Sequence, residues 1–279
     1  MDERYAIEAD DISFSYATES PVLRGLSLRV RRGEFVCVLG HSGCGKSTLL
    51  SLLMGLLEPS SGSIKIEGEP MRGPATDRAI VFQDYSLFPW MTARQNVAFG
   101  IEHSRGLAKK AALELADGYL AQVGLYESRE KYPHQLSGGM RQRAAIARAL
   151  AMDSAIWLFD EPFSALDPQM RASLQALVME LAKKESHRTV LFVTHSMDDA
   201  ARIADRLIVF HEGGIAMDGT PDEVFSRARE LTEMGLDVPQ PAAIAAALRE
   251  RGAALPESVY TAEQLRRAVL ALLGKEAAD

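Results

Sequence analysis

The chain has 279 residues, a formal charge of −7 and a hydrophobic share of 47%, a composition that suits one or two globular domains with cores large enough to need no disulfide. The acidic balance argues against a general nucleic-acid binder. The charged opening stretch Met1–Asp10 has no apolar region of the signal-peptide kind, and no uncharged apolar run approaches the roughly 18 residues of a membrane helix, so any role at a membrane is that of a peripheral subunit.

In chain order, Ile12, Phe14 and Tyr16 share one face of an alternating strand, and Leu26, Leu28 and Val30 repeat the pattern. After a turn at 31–34, Phe35-Val36-Cys37-Val38-Leu39 is wholly apolar, as a strand covered on both faces is. Cys37 and Cys44, the two cysteines, read as free thiols of a reducing compartment. A glycine-rich loop follows, then a buried helix over 47–54, a turn at 59–62 and an alternating strand over 63–67. The stretch from about Thr92 to Leu150 is rich in helix formers. Apolar strands return at 155–159, 190–193 and 207–210, the first two joined by a helix over 169–184, which makes a βαβ unit and a parallel sheet. The tail opens with a capping box at Thr220-Pro221-Asp222-Glu223. Pro239 and Pro241 are expected to break the chain before a helix over 243–251, and Thr261 with Gln264 opens a last helix before Gly274.

The chemistry lies in a few short motifs. Gly40-His41-Ser42-Gly43-Cys44-Gly45-Lys46-Ser47 fits the phosphate-loop pattern between a strand and a helix, with Thr48 behind it. Glycines there let backbone N–H groups converge on phosphate oxygens, and the helix N-terminus adds partial positive charge. Lys46 is placed to reach β- and γ-phosphates and Ser47 to ligate Mg²⁺. Asp160 ends an apolar strand, at the sheet edge where ligands bind, and suits the metal; Glu161, next in line, suits the polarisation of an attacking water. Ser137-Gly138-Gly139, before a helix of Ala, Ile and Arg, is a second candidate anion site.

With these motifs the chain closely resembles the nucleotide-binding subunits of ABC transporters over about residues 5–225, and Leu136 to Gln142 matches the signature that separates those ATPases from other phosphate-loop proteins. The resemblance implies an α/β fold: a RecA-like P-loop NTPase core with an antiparallel β subdomain, an inserted helical subdomain at about 88–150 and, from 226 to 279, a helical extension. It further implies that Tyr16 stacks on adenine, that Gln83 senses magnesium and the membrane partner, that Ser164-Ala165-Leu166-Asp167 is the D-loop, and that His195 contacts the γ-phosphate. ATP and Mg²⁺ are the implied cofactors. ATP on one subunit's loop would be capped by Ser137 and Gly139 of a facing subunit, in a head-to-tail dimer that drives separate permease subunits, with an extracytoplasmic solute-binding protein as a further partner, at the cytoplasmic face of the membrane. Leu87-Phe88-Pro89-Trp90-Met91-Thr92 is similar to the nitrate, sulfonate and taurine importer ATPases. The tail from Glu233 to Gln240 is similar to energy-coupling factor ATPases, in which it helps hold the dimer. A soluble ABC ATPase of DNA repair or translation is a second class, against which the single phosphate loop and the lack of a long heptad run speak; a nucleotide-dependent regulatory module without turnover is a third, against which the presence of Glu161 and His195 speaks.

Overall fold

The protein is described from a computed structural model, which covers residues 5–16, 20–164, 166–184, 188–256 and 258–274. The chain begins with β1 (Tyr5–Phe14), β2 (Leu23–Arg31) and β3 (Phe35–Gly40), then α1 (Lys46–Leu53), β4 (Ser61–Ile66), β5 (Glu69–Pro70) and β6 (Arg78–Val81). Three helices follow, α2 (Ala93–Arg105), α3 (Lys109–Gln122) and α4 (Gly138–Ala151). Then come β7 (Ile156–Asp160), α5 (Pro168–Lys184), β8 (Thr189–Val193), α6 (Met197–Ile203), β9 (Arg206–His211) and β10 (Gly214–Gly219). The tail holds α7 (Pro221–Phe225), α8 (Ala228–Glu233), α9 (Gln240–Glu250) and α10 (Ala262–Leu272).

Two sheets carry the fold. One is antiparallel, in the order β2-β1-β4-β5; the other runs β10-β9-β3-β8-β7-β6, parallel except for β10 at its edge. Strand β3 has no exposed residue because its alternate side chains enter two different cores. Phe35, Cys37 and Leu39 join the larger core with Trp157, Phe159 and Phe192. Val36 and Val38 join the core between the two sheets, with Ile7, Leu49 and Phe210. Each large side chain buried this way contributes about 1.5–3 kcal/mol.

The helix-rich stretch resolves into α2, α3 and α4. A reciprocal capping box of Thr92 and Gln95 starts α2, and Gly106, at φ 65, ends it. In the tail, Pro239 and Pro241 do not break the chain before a helix at 243. They open α9 three residues earlier, with Pro239 at its N-cap and Pro241 in its first turn, where a missing N–H leaves no bond unmade. Among the described residues no helix is long and apolar enough to cross a membrane.

Candidate functional site

The carboxyl ends of neighbouring parallel strands bring the site together. The phosphate loop leaves β3, Asp160 closes β7, His195 follows β8, and Gln83 follows β6. A cavity of about 490 Å³ is lined by Tyr16, Val22, Gly40, Ser42, Gly43, Gly45, Lys46, Ser47, Thr48, Gln83, Asp160, Glu161 and His195. Residues scattered over 180 positions of sequence thus converge because strand order places their termini side by side.

Gly45 is the N-cap of α1, at φ 105, and a β-carbon there would stand 2.7 Å from Leu23 Cδ2, so the turn into the helix admits only glycine. Lys46 is 6% exposed. Its ammonium donates to the carbonyls of Gly40 at 2.7 Å and His41 at 2.6 Å, which offset the cost of burying the charge. Asp160 is equally buried, and burial pushes its carboxyl above the usual range, opposed by the hydroxyl of Ser47, which donates to it. Buried Lys46 and Asp160, with exposed Ser47 between them, therefore face the same cavity.

Glu161 has φ 47, and its N–H donates to the Val193 carbonyl at 3.0 Å. One carboxylate oxygen lies 3.1 Å from His195 Nδ1, while the ring of His195 is largely exposed. Tyr16 stands just beyond β1 rather than in it. Its ring packs edge-on against Phe14 and its hydroxyl lies 3.3 Å from Thr48 Oγ1, leaving a face exposed at the cavity mouth.

Several expected site residues lie elsewhere. His41 and Cys44 belong to the loop but do not line the cavity; the His41 ring turns toward Met234, and Cys44 is half-buried. Ser137 is the N-cap of α4, its hydroxyl accepting from Met140 N–H, with Gly138 and Gly139 in the first turn, and none of the three reaches this chain's cavity. Asp167 accepts from Met170 N–H ahead of α5 and is also apart from the cavity. Ala165, in the expected D-loop, lies outside the described residues. Val22 was missed by the sequence reading. The only available signal was its position just ahead of β2, where its carbonyl also crowds Gly45.

The model of the ABC transporter family matches residues 23–164, which hold the phosphate loop, Gln83, the Ser137–Gly139 turn, Asp160 and Glu161. This chain belongs to the ABC transporter family. It is an ATP-binding cassette of the kind that couples ATP hydrolysis to transport. The chain is 44% identical over 210 residues to the nitrate import ATP-binding protein NrtD of Synechococcus elongatus, which spans 75% of this chain and 76% of that protein. Its fold is similar to that of the dimeric ATP-binding cassette MJ0796 in a post-hydrolysis state bound to ADP and Pi, with a TM-score of 0.71 and 30% identity over 77% of this chain and 98% of the other. It is similar at TM-score 0.70 and 30% identity to cbiO1 from Clostridium perfringens, a part of the ABC transporter complex cbiONQ, over 82% and 95% of the two chains.

Proposed function

We propose that this cassette is the ATP-hydrolysing subunit of an importer of the nitrate, sulfonate and taurine class. It would sit peripherally on the cytoplasmic face of the membrane and drive separate permease subunits supplied by an extracytoplasmic solute-binding protein. The convergence of Lys46, Ser47, Gln83, Asp160, Glu161 and His195 on one cavity is the observation that carries the motor reading. In this reading backbone N–H groups of Gly40–Ser47 and the Lys46 ammonium hold the β- and γ-phosphates, and Tyr16 offers its exposed face to adenine. Glu161 orients and deprotonates the attacking water, and His195 contacts the γ-phosphate.

The donors Ser47 Oγ, the Asp160 carboxylate and the Gln83 carbonyl are all hard oxygens, few enough to suit Mg²⁺, which keeps water and phosphate oxygens among its ligands. Bound there, Mg²⁺ would neutralise charge on the phosphates. Ser47 and Asp160 line the same cavity, and the Ser47 hydroxyl favours the charged form of the Asp160 carboxyl.

Ser137, Gly138, Gly139 and Asp167 stand away from their own chain's cavity, as residues serving a facing subunit would. In the proposed head-to-tail dimer with two composite sites they would cap the nucleotide of the facing subunit. We divide the chain into an ATPase unit at 1–225, with its helical subdomain at about 88–150, and a helical extension at 226–279 that supports the dimer. The permease contact is assigned to the region of Trp90. Trp90 is 69% exposed, its ring lies tilted at 40° to that of Phe88 with centroids 5.5 Å apart, and it borders a cavity of about 240 Å³ with Phe99 and Leu113.

The similarity to NrtD supports the nitrate-like solute class. The likeness to cbiO1 keeps an energy-coupling factor system as the second reading. Co-purification from the native membrane separates them: a permease with a solute-binding protein supports the first, a small multi-span binding protein the second. For the motor itself, Lys46→Ala is expected to weaken ATP binding at least tenfold in equilibrium titration; unchanged affinity would count against the cradle.

A further inference from the structure

The phosphate loop has a contact outside its cavity. The Nε2 atom of His41 lies 2.7 Å from the carbonyl oxygen of Met234, immediately after α8. A carbonyl only accepts, so the ring proton is on Nε2 and His41 is the donor. The next residue, Gly235, is at φ 73, and a β-carbon there would come within 3.0 Å of His41 Nε2. Glycine at this point serves both the turn and the close approach of the ring.

The segment that receives His41 is firmly held. Gly235 N–H donates to Thr232 O and Leu236 N–H to Leu231 O, both at 2.8 Å. Leu231 and Leu236 are buried in the larger core. Farther on, Gln240 N–H donates to Asp198 Oδ1 at 3.2 Å. Asp198 belongs to α6, which starts two residues after His195. Residues 234–240 therefore form a strap with one end on the phosphate loop and the other on the helix behind His195.

His41 is engaged at its backbone as well. Its carbonyl accepts from Lys46 Nζ at 2.6 Å and from Cys44 N–H at 3.4 Å. Holding the ring thus holds the residue whose carbonyl orients Lys46. We propose that His41 is a positioning residue, whose hydrogen bond to Met234 fixes the phosphate loop in its receiving conformation and makes the 234–240 strap a working part of the nucleotide site. The inference rests on the reading that Gly40–Ser47 cradles ATP. A loop ordered in advance by the fold spares ATP the cost of ordering it. By reciprocity, ATP on the loop steadies the strap.

The test uses the full chain with a fluorescent ATP analogue, steady-state kinetics, and hydrogen exchange of residues 231–240 with and without Mg²⁺ and ATP. His41→Ala is expected to weaken binding by about 2- to 10-fold, the range one net hydrogen bond allows. The loss should fall mainly on KM. His41→Gln should recover most of it, because its terminal amide nitrogen has nearly the reach of the imidazole Nε2 and also donates. Exchange in the strap should slow on ATP in the unaltered chain and lose that response in His41→Ala. Gly235→Ala, whose β-carbon would press on the His41 ring from the strap side, should act in the same direction. Equal affinity of His41→Ala and the unaltered chain, or a strap whose exchange ignores ATP, overturns the proposal. An unaltered chain that binds no ATP, or a Lys46→Ala variant that binds as well, overturns the cradle beneath it and is recognised by the same titration.

Discussion

Glu161 adopts a left-handed backbone at φ 47, which costs a non-glycine residue about 1–3 kcal/mol. The bond from its N–H to Val193 ties that conformation to the end of β8 and leaves the carboxylate beside His195. With His195 largely exposed, such a contact stabilises by only about 0–1 kcal/mol, too little to offset the strain. The strained backbone turns Glu161 into the cavity, where the proposed base would act. Glu161→Gln keeps the shape and removes the base. Phosphate release should fall by about 100-fold or more while ATP stays bound. Turnover near the unaltered rate would remove Glu161 from the role of base. The identity of this residue is legible in the sequence from its place after an apolar strand and Asp160. Its backbone strain and its contact with His195 are not, because they depend on β7 and β8 lying side by side.

Among the elements, the loop from Gln83 to Thr92 shows how the helical subdomain is joined to the strands. Asn96, fully buried on α2, accepts from Phe88 N–H and donates to the carbonyls of Phe88, Met91 and Thr92. Arg148 of α4 donates to Ser86 O at 2.8 Å, and the ring of Tyr85 lies 5.1 Å below the Arg141 guanidinium. A β-carbon on Gly138 would stand 3.2 Å from the Tyr85 hydroxyl, so the loop reaches the start of the signature helix. Both Tyr85 and Ser86 are left-handed, at φ 61 and 47. Asn96→Ala should leave buried backbone groups unpaired and lower stability by about 2–4 kcal/mol, read as an earlier midpoint in urea unfolding. A midpoint unchanged by the substitution would show that the loop is held by its other contacts. Nothing local in the sequence marks Asn96, which reads as one polar residue in a helix. The helix starts were easier, since Thr92, Thr220 and Thr261 each cap with a partner three residues away. Pro239 and Pro241 misled for the opposite reason: a proline's effect depends on whether it falls inside a helix or at its first turn.

At the scale of the whole molecule, the separation of Ser137–Gly139 from the cavity leads to a prediction for the dimer. Lys46→Ala spoils the cradle, and Ser137→Arg spoils the facing turn. Each variant alone should lack activity. Mixed in equal amounts, random pairing gives half heterodimers with one intact site each, so ATPase activity should return to about a quarter of the unaltered level if the sites act independently. A mixture as inactive as its components would argue against sites shared between chains. Within one chain the first turn of α4 does not line the cavity that the phosphate loop lines.

The sequence alone determined the phosphate cradle, the Asp160–Glu161 pair, the signature turn, the antiparallel and parallel strands and the family. Those features are carried by short contiguous spacings and by side-chain periodicity, which chain continuity preserves. Only the tertiary structure decided that Glu161 meets His195, that Ser137 stands apart from its own chain's cavity, and that the tail reaches back from Met234 to His41. Such contacts join residues 34 to 193 positions apart. They follow from strand order and core packing, which bring distant segments together without leaving a local pattern.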